Sequence, residues 1–133
     1  LDIDGTLIHE DLTDNYGKPA AGLEEFLVAL RPHQTYWLTT HCMDGDPSRA
    51  QALLKRVLPE NLHADIDRIK PTTWGILKTE AIDWNAPELI WFDNDILSEE
   101  RARFASALPE QTFIEVDLLA NPEQLIDITR DIL

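Results

Sequence analysis

Apolar residues recur along this chain in two rhythms. In AGLEEFLVALRP, Leu23, Phe26, Leu27 and Leu30 fall at i, i+3, i+4 and i+7, the stripe of a helix that buries one face, and Pro32 closes it. In HCMDGDPSRAQALLKRVLP, Asp46 suits an N-cap and Pro47 a first helical position. Leu53, Leu54 and Val57 would face a core before Pro59 ends that helix. Ser98 reads as the cap of SEERARFASAL, and Asn121, Pro122 and Gln124 carry a capping-box pattern ahead of LIDITRDIL. Between these stretches lie β-rich runs: LDID at the start, TYWLTT, ELIWFDND and TFIEV. The region from 60 to 87 is less patterned; it predicts a short strand at 64–69 and a helix at 73–82.

Strands alternating with helices predict an α/β domain with at least four strands. ELIWFDND is a continuous apolar run ending in acids, which suits a central parallel strand covered on both faces. In open sheets of this kind ligands gather at the carboxyl ends of the strands. Three strand ends carry chemistry: Asp2 and Asp4, Thr39 and Thr40, and Asp93, Asn94 and Asp95. Asp2 and Asp4 are the most demanding, because alternate residues of a strand share a face and two carboxylates that close repel unless a cation or donor lies between them. They ask for a metal or a reaction.

At 133 residues the chain is long enough for one well-buried core, so residues 1–133 are expected to form a single domain. A strand over residues 1–4 has little upstream length, and is expected to begin before Leu1. Twenty-five acidic against 11 basic residues give a formal net charge of −14. Such a surface repels phosphate backbones, which disfavours general nucleic-acid or anionic-membrane binding. No apolar run approaches a membrane span and no secretory signal is visible. Cys42 is the single cysteine, which suits a reducing, cytoplasmic setting.

A calcium loop does not account for D-x-D-G. Counted from Asp2, the sixth and twelfth positions of such a loop are Leu7 and Thr13, where Gly and a bidentate Glu are needed. LDIDGTL instead resembles motif I of the haloacid dehalogenase (HAD) superfamily. YWLTT, a lysine at 70 or 78, and LIWFDND follow in the order of the remaining family motifs. The resemblance spans nearly the whole chain and implies a Rossmann-like three-layer sandwich with a mostly parallel sheet. It also implies a Mg²⁺-dependent phosphatase working through an aspartyl-phosphate. Asp2 matches the nucleophile and Asp4 the acid/base residue. Gly5 and Thr6 match the turn beside the transferred group, and Thr39, with Thr40 as its alternative, the phosphoryl-binding hydroxyl. The charge-balancing lysine is Lys78, which leads directly into the motif IV strand, or Lys70. Metal ligands would be Asp2, the carbonyl of Asp4, and Asp93 or Asn94, with Asp95 helping to hold water. Only 34 residues separate Asp4 from Thr39, too few for a large cap domain, so an open site is expected. The substrate would be a phosphorylated small molecule or macromolecule, and a homodimer or protein partner could cover the site. Phosphoryl transfer to an alcohol, a noncatalytic module binding a phosphorylated partner, and a receiver domain are the alternatives. The D-x-D-G-T order at a first strand fits the receiver poorly.

Overall fold

The computed structural model describes residues 1–133 and has an α/β architecture. Five helices are formed: α1 (Leu23–Ala29), α2 (Ser48–Lys55), α3 (His63–Asp67), α4 (Ser98–Ala105) and α5 (Gln124–Asp131). Two strands, β1 (Leu89–Asp93) and β2 (Gln111–Glu115), pair in parallel with Leu89 opposite Gln111 and Asp93 opposite Glu115.

The regular sheet is smaller than the four or more strands predicted, and its neighbours are extended segments joined by a few backbone hydrogen bonds. Asp2 N–H donates to the Phe92 carbonyl at 3.0 Å, which sets residues 1–3 beside β1. On their other side, the Leu1 nitrogen donates to Tyr36 O at 3.0 Å and Leu38 N–H to Leu1 O at 2.8 Å, a parallel arrangement. Tyr36 in turn bridges Lys70 in parallel. The lateral order is therefore residue 70, residues 36–38, residues 1–3, β1, β2. The outer segments stay irregular because each exchanges only a few backbone bonds with its neighbour before the chain turns away.

Side chains sort to two faces by the two-residue period. Phe92, Trp37 and Ile3 enter the main core with Leu23, Phe26 and Leu27 of α1, Leu54 of α2, Ile66 of α3 and Leu125 and Ile128 of α5. Phe26 meets Phe92 edge-on, with ring centroids 5.5 Å apart. Their neighbours Trp91 and Leu38 join Ile96 on the other face, where Phe104 of α4, Phe113 and Trp84 complete an aromatic layer. Each large apolar side chain fully buried in this way contributes roughly 1.5–3 kcal/mol. Gly22, at φ +79°, lets α5 come close to α1: a Cβ there would collide with Ile126.

Several local expectations are corrected. Residues 64–69 are not a strand, since α3 occupies most of them, and the helix predicted at 73–82 is reduced to a 3-10 turn at Lys78–Ala81. Asp46 does receive the Ser48 N–H at 3.0 Å, but α2 starts at Ser48 rather than at Pro47. Ser98 does not cap α4; the Glu100 carboxylate turns back and accepts the Leu97 N–H at 3.2 Å. Gln124 makes no reciprocal cap with Asn121, because its amide bonds Asp117 N–H and Glu115 O instead. No helix is long and apolar enough to cross a membrane.

Candidate functional site

The chain reverses sharply just after Asp4. The Ile3 carbonyl accepts N–H groups from Thr6, Leu7 and Ile8, while Gly5 N–H donates to Ile8 O at 2.8 Å. This turn needs Gly5 at φ +75°, a conformation that glycine adopts without the penalty a side chain incurs. It also needs the space above Gly5, where a Cβ would strike the Asn94 amide. The first and fourth sequence motifs are thus pressed together at one glycine. The turn carries the buried Thr6 hydroxyl back toward Asp2 Oδ2, at 3.4 Å.

Asp2 and Asp93 share one cation. Lys78 Nζ lies 3.1 Å from Asp2 Oδ1 and 2.6 Å from Asp93 Oδ2. Asp2 is 6% exposed and Asp93 1%, so neither charge is compensated by water. Burial pushes Asp2 above the ordinary carboxylate range, against the pull of Lys78. Burial first, and the Asp2 charge second, push Asp93 up in the same direction. Burial alone would lower Lys78, but the two carboxylates outweigh it and hold its ammonium more basic than usual. Asp93 is further occupied by the Trp91 indole N–H, 3.1 Å from Oδ2, and by Asp95 N–H, 3.2 Å from Oδ1.

The loop bearing Lys78 is held at both ends. Thr72 Oγ1 donates to Trp37 O, and Trp74 N–H to Met43 O at 3.0 Å. Glu80 Oε2 then accepts from Ile76 and Leu77 N–H at 2.9 and 2.6 Å, and buried Glu100 accepts Thr79 N–H at 3.1 Å. The lysine is therefore presented by a turn tied to α4. Lys70 lies elsewhere: its backbone pairs near the start of the 36–38 segment, and its ammonium sits 5.7 Å from the Tyr36 ring. There it borders a cavity of about 220 Å³ shared with Arg31, Asp65 and Arg68, at the opposite end of that segment from Thr39.

Thr39 is fully buried, and its hydroxyl accepts the His41 N–H at 3.4 Å within the 3-10 turn Thr40–Cys42. Thr40 is exposed, on the turn that follows. That same turn aims His41 at Asp4, with Nε2 2.6 Å from Oδ2. Asp4 keeps 40% of its side chain exposed, in contrast to Asp2. Cys42, its thiol pushed up by burial, packs into the main core.

Asp2, Thr6, Lys78 and Asp93 are thus joined directly, Asp4 follows two residues after Asp2 and pairs with His41, and Asn94 lies against Gly5. His41, Glu100 and Trp91 are not among the site residues that the sequence predicts. Position 41, two residues past Thr39, was the one available signal. No set of three or more His, Cys, Asp or Glu side chains converges as a ready-made metal cage. The remaining oxygen donors are the Asp4 carbonyl, which accepts no hydrogen bond, Oδ1 of Asn94, whose Nδ2 is the atom facing Gly5, and Asp2 Oδ2. All are hard oxygens, the donor type that suits Mg²⁺, which retains several waters. Comparison with protein-family models, curated proteins and solved structures finds no match for the chain.

Proposed function

We propose that this domain hydrolyses phosphomonoesters by way of a phosphoryl group carried on Asp2. The observation that carries the reading is the contrast between neighbouring acids. Asp2 is buried and shares Lys78 with Asp93, while Asp4, two residues on, keeps 40% of its side chain exposed and pairs with His41. A nucleophile needs a fixed position and a nearby cation to offset the charge of an incoming phosphate; an acid/base group needs access to the departing oxygen and to water. The resemblance of LDIDGTL, YWLTT, Lys78 and LIWFDND to HAD motifs supports the same assignment. So does the lateral order of extended segments, which matches a doubly wound sheet with Asp2 and Asp93 at its switch point.

In the first step Asp2 attacks phosphorus, the ester P–O bond breaks, and Asp4 gives its proton to the leaving oxygen. In the second, Asp4 takes a proton from water as that water attacks the acyl-phosphate, and the bond to Asp2 breaks to release inorganic phosphate. Lys78 offsets the charge on Asp2 and phosphate, and the Thr39 hydroxyl hydrogen-bonds a phosphoryl oxygen. Asp2, the Asp4 carbonyl and Asn94 would hold Mg²⁺, which when bound supplies charge neutralisation for the phosphoryl oxygens.

The test is Mg²⁺-dependent phosphate release from an aryl phosphate by the wild-type chain and by Asp2→Asn. Loss of a nucleophile should lower turnover by at least about a thousandfold. The unfolding midpoint should stay level or rise, because one buried charge is gone. Equal turnover in the two proteins would remove the mechanism.

A further inference from the structure

Asp4 is the one acid of the site whose side chain lacks a close-packed environment. It is 40% exposed, and a short carboxylate on the rim of a turn has several staggered positions open to it. A proton donor that wanders among rotamers spends little time facing a departing oxygen. One contact limits that freedom. His41 Nε2 lies 2.6 Å from Asp4 Oδ2, the length of a strong, charge-assisted bond, and His41 is the only side chain bonded to that carboxylate.

His41 is itself well placed to hold a position. It lies in the middle of the 3-10 turn Thr40–Cys42. Its N–H donates to the buried Thr39 hydroxyl at 3.4 Å, and the next N–H, of Cys42, donates to Thr39 O at 3.0 Å. Cys42 anchors the turn in the main core. Its side chain is only 21% exposed, and its Nε2 is the atom that meets Asp4. A chain of contacts therefore runs from the core through Thr39 and the backbone of the turn to the imidazole, and ends on one oxygen of Asp4.

We propose that His41 is the positioning residue of Asp4. By occupying Oδ2 it leaves Oδ1 as the oxygen that carries the proton and faces the leaving group. This inference rests on the phosphatase reading and adds to it a residue that acts through Asp4 without touching the substrate.

The experiment compares kcat/KM, which covers the steps through departure of the leaving group, on two esters. Nitrophenyl phosphate releases a phenolate that departs without a proton; phenethyl phosphate releases an alkoxide that needs one. General acids contribute about a hundredfold or more where a proton is needed, so His41→Ala should lose about that factor on phenethyl phosphate and less than about fivefold on nitrophenyl phosphate. His41→Gln, which restores an N–H donor to Asp4, should recover most of the loss. Unfolding midpoints of both variants serve as the folding control. Equal losses on the two esters, or His41→Gln as impaired as His41→Ala, would overturn the positioning role while leaving the phosphatase standing. A wild-type protein that hydrolyses neither ester would overturn the phosphatase reading and this inference with it.

Discussion

Two charge clusters sit at opposite ends of the segment that runs from Thr35 to Thr39, and they are built with inverted stoichiometry. At one end two buried acids, Asp2 and Asp93, share the single cation Lys78. At the other, one buried acid, Asp65, is shared by two cations: Arg31 grips it through two bonds of 2.8 Å, and Arg68 stands 3.6 Å away. The first cluster carries a net −1, and its acids are pushed up by burial. The second carries a net +1, and hydrogen bonding from Arg31 holds Asp65 below the ordinary carboxylate range. A saturated carboxylate has nothing left to do and pins α1 to α3. Two acids that share one cation remain short of a positive charge and can still take up a proton or a metal ion, and this difference separates a structural ion cluster from one suited to chemistry.

The largest stability effect should come from removing the shared cation. Lys78→Met leaves two uncompensated acids in a buried place and should cost about 3 kcal/mol in urea unfolding at neutral pH. Part of that should return on mild acidification as the acids take up protons. A variant as stable as wild type would mean that the two acids are not held by Lys78, and the contrast between the clusters would collapse. Asp65→Asn should cost less, about 1 kcal/mol, because both arginines are half-exposed and water compensates them.

The smallest effect, and the sharpest, is in the pH dependence of stability, measured without divalent cations. Asp65 lies below its unfolded value of 3.8, so it stabilises the fold at neutral pH and loses that contribution as pH falls through 3.8 and lower. Asp2 and Asp93 lie above theirs. The folded chain holds those protons more tightly than the unfolded chain does, so these groups favour folding at low pH and cease to as pH rises from 3.8 through their raised values. Asp65→Asn should therefore flatten the acid limb below about pH 4, and Asp2→Asn should flatten the slope above it. Matching changes in both variants would erase the distinction.

The helices with long apolar stripes could be read directly from the chain: Leu23, Phe26 and Leu27 do face the core, as does Leu54. The same is true of β1 and β2, whose runs of β-branched and aromatic residues leave little choice. α3 escaped because HADID is only five residues long, and Ala64 and Ile66 alternate with acids over so short a span. At the site, Asp2, Asp4, Thr39 and Asp93 could be recognised because their spacing is local to strand ends. Position along the chain favours Lys78, which leads directly into β1, but leaves Lys70 open, since both follow the second strand. The choice is a matter of which end of the sheet each reaches. Thr40 looked equivalent to Thr39 and differs from it because the chain enters a 3-10 turn there and carries its side chain to solvent. His41 was hidden for a similar reason, as its contact with Asp4 joins residues 37 apart in the chain.

The Trp91 indole that rests on Asp93 gives the protein a built-in optical reporter. Indole emission responds to the electric field along the ring, and here the nearest field source is a carboxylate whose charge depends on what occupies the site. With the ring 1% exposed, bulk solvent contributes little to that field. Titrating a cation or a phosphate analogue into the unlabelled protein should therefore shift the wavelength of Trp91, and Trp91→Phe should silence that component while Trp37 continues to emit from the core.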